Sequence, residues 1–137
     1  DMVDFDGSKL HLEENIKITK EVKNYAKWRG VLVEGEVGIL GTDSSKIYSE
    51  KFEIKEENLT KPQEAKDYAE KTGVNLLAIS IGNFHGIEVS GIDPNLRLDL
   101  LKKIKEEVKD SAMLVLHGGS GIPENDIKEA IKAGIVK

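Results

Sequence analysis

Apolar residues in this chain come in two alternating forms. Short apolar runs, such as Met113-Leu114-Val115-Leu116 and Ala78-Ile79-Ser80-Ile81, alternate with longer stretches in which apolar residues recur every three or four positions. The first form predicts buried strands and the second amphipathic helices. Residues 2–5 form a short strand. Residues 12–29 form a helix, with Leu12, Ile16, Val22 and Tyr25 at helical spacing, Trp28 as packing near its end and Gly30 as its stop. Val31-Leu32-Val33 opens a second strand that reaches Glu36, and a polar loop runs from about 37 to 59. Thr60-Lys61-Pro62-Gln63 has the form of a capping box, with proline in the first turn of a helix that carries Ala65, Tyr68 and Ala69 to Gly73. A third strand over 74–81, a helix started by Asp93-Pro94 and bearing Leu101, Ile104 and Val108, a fourth strand over 112–117 and a helix from Pro123 to Gly134 follow. Gly134-Ile135-Val136-Lys137 reads as the start of a fifth strand.

Strand–helix alternation with strands apolar on both faces implies an α/β fold, a parallel sheet covered by helices with right-handed crossovers. A doubly wound sheet and a (β/α)8 TIM barrel compete. No Gly-x-Gly-x-x-Gly follows the first strand, which argues against a dinucleotide-binding sheet. Polar residues of interest stand at the ends of several different strands, which favours the barrel. The expectation is a partial barrel of about four βα units, with residues 1–137 a segment of one domain in a longer chain.

Charge and composition narrow the partners. A net charge of −5 argues against nucleic acid and against an anionic membrane surface. The apolar runs are far shorter than a membrane span, and the N-terminus lacks the features of a secretory signal. With no cysteine, disulfides and thiolate metal sites are excluded, which fits a cytoplasmic protein.

Parallel strands place all their carboxyl ends on one side of the sheet. Asp6, Glu36, His85 and His117 lie at or just beyond four such ends, so two carboxylates and two imidazoles share one surface. That donor set suits a divalent metal, zinc first. Each residue also has a blander explanation. His85 could be a loop histidine bonded to backbone, and Asp6 a helix cap or Asx turn. Glu34 and Glu36 share one face of their strand, and such a pair requires a metal, protons or a cation such as Arg29 or a lysine. His11, among Lys9, Glu13 and Glu14, is a solvated surface residue. Gly118-Gly119-Ser120-Gly121, following His117 and leading into a helix, has the form of an anion cradle or of an ordinary βα turn. The 37–59 loop is long enough to be a lid carrying an acid–base group, for which Asp43 is the available carboxylate.

Taken together, Asp6-Gly7-Ser8, Glu14-Asn15-Ile16, Val33-Glu34-Gly35-Glu36-Val37-Gly38, Thr60-Lys61-Pro62-Gln63-Glu64-Ala65, Ile81-Gly82-Asn83-Phe84-His85-Gly86 and His117-Gly118-Gly119-Ser120-Gly121 resemble class II (zinc-dependent) fructose-bisphosphate aldolases in order and spacing. The resemblance covers essentially the whole chain and implies a (β/α)8 barrel. It implies that His85 and His117 are two of three zinc histidines, and that Asp6 and Glu36 belong to a second metal position or surround the first. By the same resemblance, Gly86, Gly118, Gly119 and Ser120 lie where backbone meets the substrate phosphate and a monovalent cation. The reaction implied is reversible cleavage of a ketose 1,6-bisphosphate to dihydroxyacetone phosphate and an aldehyde, with zinc polarising the ketone oxygen. The full-length protein is expected to be a homo-oligomer.

The chain departs from the family pattern in three places. Ser44 fills the usual position of a loop glutamate, with Asp43 one residue earlier. Ile87, Glu88 and Val89 stand where an aromatic and a basic residue are common. The Asp-His pair with the third histidine belongs upstream of this segment, and an Asn-x-Asp stretch belongs beyond Lys137. Asn83 and Gly119 match the fructose-bisphosphate rather than the tagatose-bisphosphate subgroup. The rivals are a tagatose-bisphosphate aldolase and a catalytically impaired relative that binds metal and sugar phosphate; the segment alone is expected to be inactive.

Overall fold

A computed structural model describes residues 1–39, 55–84 and 96–137, together with the backbone of strand residues 47–48 and 87–88. Strand β1 (Met2–Phe5) leads to helix α1 (Leu12–Lys27), β2 (Leu32–Val37), a two-residue strand β3 (Ile47–Tyr48), a 3-10 turn (Glu56–Asn58) and α2 (Pro62–Thr72). Then come β4 (Leu76–Ile79), a two-residue β5 (Ile87–Glu88), α3 (Leu98–Val108), β6 (Met113–Val115) and α4 (Glu124–Lys132). The segment expected to be a polar loop thus contains a short strand and a 3-10 turn, and β3 pairs in parallel with β5. Asp43 lies outside the described residues, as do His85, Gly86 and the Asp93-Pro94 helix start.

The main sheet is parallel in the order β1-β2-β4-β6. Its strands therefore follow one another without reversal. With right-handed crossovers, a sheet wound in one direction puts all its helices on one face, whereas a doubly wound sheet reverses and covers both. The helices accordingly form one layer, with α1 against α2, α2 against α3 and α3 against α4. The chain's last residues extend the sheet beside β6. Leu114 bridges to Ile135, and the amide of Val136 donates to the Leu114 carbonyl at 3.0 Å.

Strand alternation divides the side chains between two environments. Val33, Val37, Leu77, Ile79 and Leu114 face the helices and are buried with Ala65, Tyr68, Leu101, Ile104 and Val108. Fully burying one such aliphatic side chain contributes about 1.5–3 kcal/mol. On the other face, the register aligns Asp4 with Glu34, Glu34 with Leu76, Glu36 with Ala78 and Ala78 with Val115. That face carries the polar residues toward the strands' carboxyl ends.

Three local expectations need correction. Thr60 does not cap α2, whose flanking residue is Lys61 with no side-chain cap bond. The Thr60 hydroxyl instead donates to the Val37 carbonyl and accepts from the Ser80 amide at 2.8 Å, clamping the ends of β2 and β4. Trp28 is 90% exposed rather than packed. Tyr25 also points outward, under the Arg29 guanidinium 3.9 Å from its ring centre, and Ala26 takes the buried place one residue on. Gly73 does end α2 in the left-handed conformation, at φ 68°.

Candidate metal centre at the carboxyl ends of the strands

Asp4 near the end of β1, Glu36 near the end of β2 and His117 two residues past β6 converge on one point. Each offers a ligand atom within 4.8 Å of the others, the one such group among the described residues. The sequence expectation had named Glu36, His117 and Asp6 from these three strands. Asp6 lies next to this group, but its Oδ1 accepts from the Ser8 amide at 3.0 Å and the Ser8 hydroxyl at 2.6 Å, closing an Asx turn. Burial raises its pKa, yet the Ser8 bonds, with Lys9 and the neighbouring Glu36 carboxyl, lower it overall. Asp4 was missed by sequence reasoning. Its signal was a charged residue inside an otherwise apolar strand, two positions before Asp6 and so on the same face.

Both nitrogens of His117 meet carboxylates. Nε2 is 2.6 Å from Glu34 Oε1, and Nδ1 is 3.0 Å from Glu36 Oε1. The hydrogen bond to Glu36, opposed by burial and reinforced by Glu34, pushes the imidazole pKa up to about 9. Glu34 is completely buried, and its second oxygen lies 2.7 Å from Lys137 Nζ. The compensation expected for the Glu34–Glu36 pair therefore comes from an imidazole and a lysine. Arg29 takes no part, since its guanidinium donates to the Tyr25 carbonyl at 3.1 Å.

One atom stays uncompensated. Glu36 is buried, and its Oε2 accepts no hydrogen bond from the described residues. A buried carboxylate oxygen without a donor is costly. The carboxyl groups of Asp4 and Asp6 beside it offer no proton when ionised. Burial, then repulsion from Glu36 and Glu34, pushes the Asp4 pKa up to about 6. A divalent cation relieves all of these features at once, so the residues fit a metal with oxygen and nitrogen donors.

The backbone behind the site is held firmly. Asn15 of α1 donates to the Glu36 carbonyl at 2.8 Å, and the Tyr68 hydroxyl donates to Asn15 Oδ1 at 3.1 Å while also meeting Thr19 at 2.6 Å. All three residues are buried, and burial pushes the Tyr68 phenol up to about 12. Gly35 lies between the two glutamates because a Cβ there would stand 2.4 Å from the Tyr68 hydroxyl oxygen. Asn83 is fully buried; it donates to the carbonyls of Ile79 at 3.2 Å and His117 at 3.0 Å and accepts from the Ile81 amide at 2.8 Å. It thereby ties the loop leading to His85 to the loop that starts at His117. Gly118 and Gly121, at φ 62° and 84°, shape the turn between β6 and α4, with Ser120 exposed on it.

The model for the class-II fructose-bisphosphate aldolases matches residues 2–137. The protein named uncharacterized protein YdjI, from Escherichia coli (strain K12), is 39% identical over 132 residues, 96% of this chain and 45% of that one. A fructose-bisphosphate aldolase of Streptococcus pneumoniae is 42% identical over 136 residues, 97% of this chain and 42% of that one. Among solved structures, the YdjI aldolase from Escherichia coli K12 matches with a TM-score of 0.79 at 35% identity, covering 99% of this chain and 43% of that one. Fructose-bisphosphate aldolase from Campylobacter jejuni matches with a TM-score of 0.74 at 28% identity, over 99% and 39%. The chain thus spans less than half the length of these relatives, and its singly wound sheet with one helix layer is part of a TIM barrel, as the sequence implied.

Proposed function

This chain belongs to the class II fructose-bisphosphate aldolase family, and on that premise we propose that it supplies part of the active site of a zinc-dependent aldolase. Residues 1–137 form a segment of a single barrel domain. The whole protein reversibly cleaves a ketose 1,6-bisphosphate, fructose 1,6-bisphosphate first, to dihydroxyacetone phosphate and an aldehyde. The observation that carries this reading is the buried Glu36 oxygen, without a donor among the described residues, within the Asp4–Glu36–His117 group.

His117 and Glu36 are the residues of this group that would hold zinc, joined by His85, with Asp4 and Asp6 serving a second position or its surroundings. When bound, the metal supplies Lewis-acid polarisation of the substrate's ketone oxygen. The chain's own residues do the rest. Glu36 and Asp4 hold negative charge at the site. Asn15 and Tyr68 fix the strand that carries Glu36, and Asn83 fixes the start of the His117 loop. Gly118, Gly119 and Ser120 at the head of α4, with Gly86, present backbone to the substrate phosphate and a monovalent cation. Asp43 takes the acid–base role that a loop glutamate has in the family. The protein works in the cytoplasm as a homo-oligomer, without nucleic-acid or membrane partners; no helix among the described residues is long and apolar enough to cross a membrane.

Cleavage of fructose 1,6-bisphosphate by the purified full-length protein, lost on chelation and restored by zinc, is the expected result. Preference for tagatose 1,6-bisphosphate would shift the substrate. Binding of zinc and sugar phosphate without turnover would identify a catalytically impaired relative, the outcome that Ser44 in the loop motivates. Activity unchanged in Asp43→Ala would remove Asp43 from the mechanism.

A further inference from the structure

The proposed reading leaves two residues beside the site without a role, Glu34 and Lys137. Glu34 is the most enclosed carboxylate described, yet it is not one of the three residues that converge as metal donors. One of its oxygens is 2.6 Å from His117 Nε2 and the other is 2.7 Å from Lys137 Nζ. The opposite edge of the imidazole, at Nδ1, faces Glu36, whose second oxygen has no donor among the described residues and which groups with Asp4.

The two ring nitrogens therefore differ in what surrounds them. A metal entering the site can take one nitrogen only, and the other must then carry the proton. On the Nε2 side stands a buried carboxylate held in place by a lysine, an acceptor that requires an N–H. On the Nδ1 side stand the donor-poor oxygens that a cation would satisfy. We propose that Glu34 and Lys137 form a positioning pair that keeps the proton of His117 on Nε2 and presents Nδ1 as its metal-donor atom. Lys137 acts through Glu34: it compensates the charge of a carboxylate that would otherwise be buried alone, and it fixes the oxygen that faces the ring. A histidine ligand whose outer nitrogen is bonded to a carboxylate is oriented and made a better donor, and removing such a partner weakens metal binding by about 10–100-fold.

The proposal rests on the metal-site reading above and is tested separately from it. Zinc affinity is measured by chelator competition on the full-length protein and on Lys137→Met, Lys137→Arg and Glu34→Gln. Lys137→Met and Glu34→Gln should bind zinc about 10–100-fold more weakly, while Lys137→Arg, which can still pair with Glu34, keeps most of the affinity. A crystal structure of the zinc-loaded unmodified protein should show Nδ1 of His117 on the metal and Nε2 on Glu34, a readout that needs no variant to fold. Unchanged affinity in a folded Lys137→Met, or zinc on Nε2, overturns the positioning pair while leaving the metal site standing. Failure of the unmodified protein to bind zinc overturns the metal site itself, and this pair with it.

Discussion

At the scale of single residues, the site stores unfavourable charge. Asp4 keeps an exposed side, yet partial desolvation and then the two neighbouring glutamates push its pKa up to about 6. A raised carboxyl pKa means that ionised Asp4 works against the fold above that pH. Asp4→Asn should therefore raise the melting temperature of the metal-free protein at pH 8 while weakening zinc binding. Asp6→Asn, whose amide oxygen can still accept from Ser8 and keep the Asx turn, should change stability little and affect zinc less. Melting curves with chelator and zinc titrations on both variants check this; a larger zinc defect in Asp6→Asn would move the ligand role from Asp4 to Asp6. His117 has the same sign at higher pH. Its folded-state pKa of about 9 exceeds the ordinary value of 6.5. The stability it contributes is complete below pH 6.5 and is lost as pH rises through 9, at most about 3 kcal/mol. Thermal unfolding of chelator-treated protein should weaken across that window, and His117→Gln should flatten the slope.

At the scale of elements, the glutamates of β2 are aimed by packing behind the strand. The approach of Tyr68 to Gly35 leaves no room for a methyl group. Gly35→Ala should destabilise the protein by about 1–3 kcal/mol, measured by urea unfolding. Combining it with Tyr68→Phe should cost less than the sum of the two, because both disturb the same contact. Much of this level was legible beforehand. Apolar runs and helical spacing located every strand of the main sheet and every α-helix among the described residues, since both patterns report which face is buried. What escaped depends on partners distant in sequence. Thr60 has the local pattern of a cap, but its hydroxyl is taken by two strand ends some twenty residues away on either side. Tyr25 and Ala26 both fit an approximate helical period, and only the packing of α1 decides between them. Glu36 and His117 could be read from their positions at strand ends, and Asp4 left a signal as the charged residue inside an apolar strand; Lys137 left none, because it gains meaning only when the sheet places it beside Glu34.

At the scale of the whole molecule, the face of the sheet opposite the helices is unfinished. Toward the amino ends of the strands it carries Met2, Leu32 and Met113, which are 43–45% exposed in this segment. The register places Leu32 beside Met2, and Met113 beside the buried Leu76, in the same alternation that brings Asp4, Glu34 and Glu36 to the other end of that face. A barrel interior is filled by such layers of side chains, and relatives more than twice as long have the strands to supply the rest. Apolar side chains below and charged ones above then have one explanation: the lower layers close the barrel, and the upper layer carries the candidate metal group. If so, a charge introduced low on this face is buried without a partner. Met113→Lys should cost the full-length protein several kcal/mol, of the order of 3 kcal/mol or more, although Met113 is nearly half exposed in the segment. Surface substitutions usually stay within about 0.5 kcal/mol, so urea unfolding separates the two cases clearly. A near-neutral Met113→Lys would mean that this face remains open to solvent in the whole protein, and that the carboxylates above it are not enclosed by a barrel.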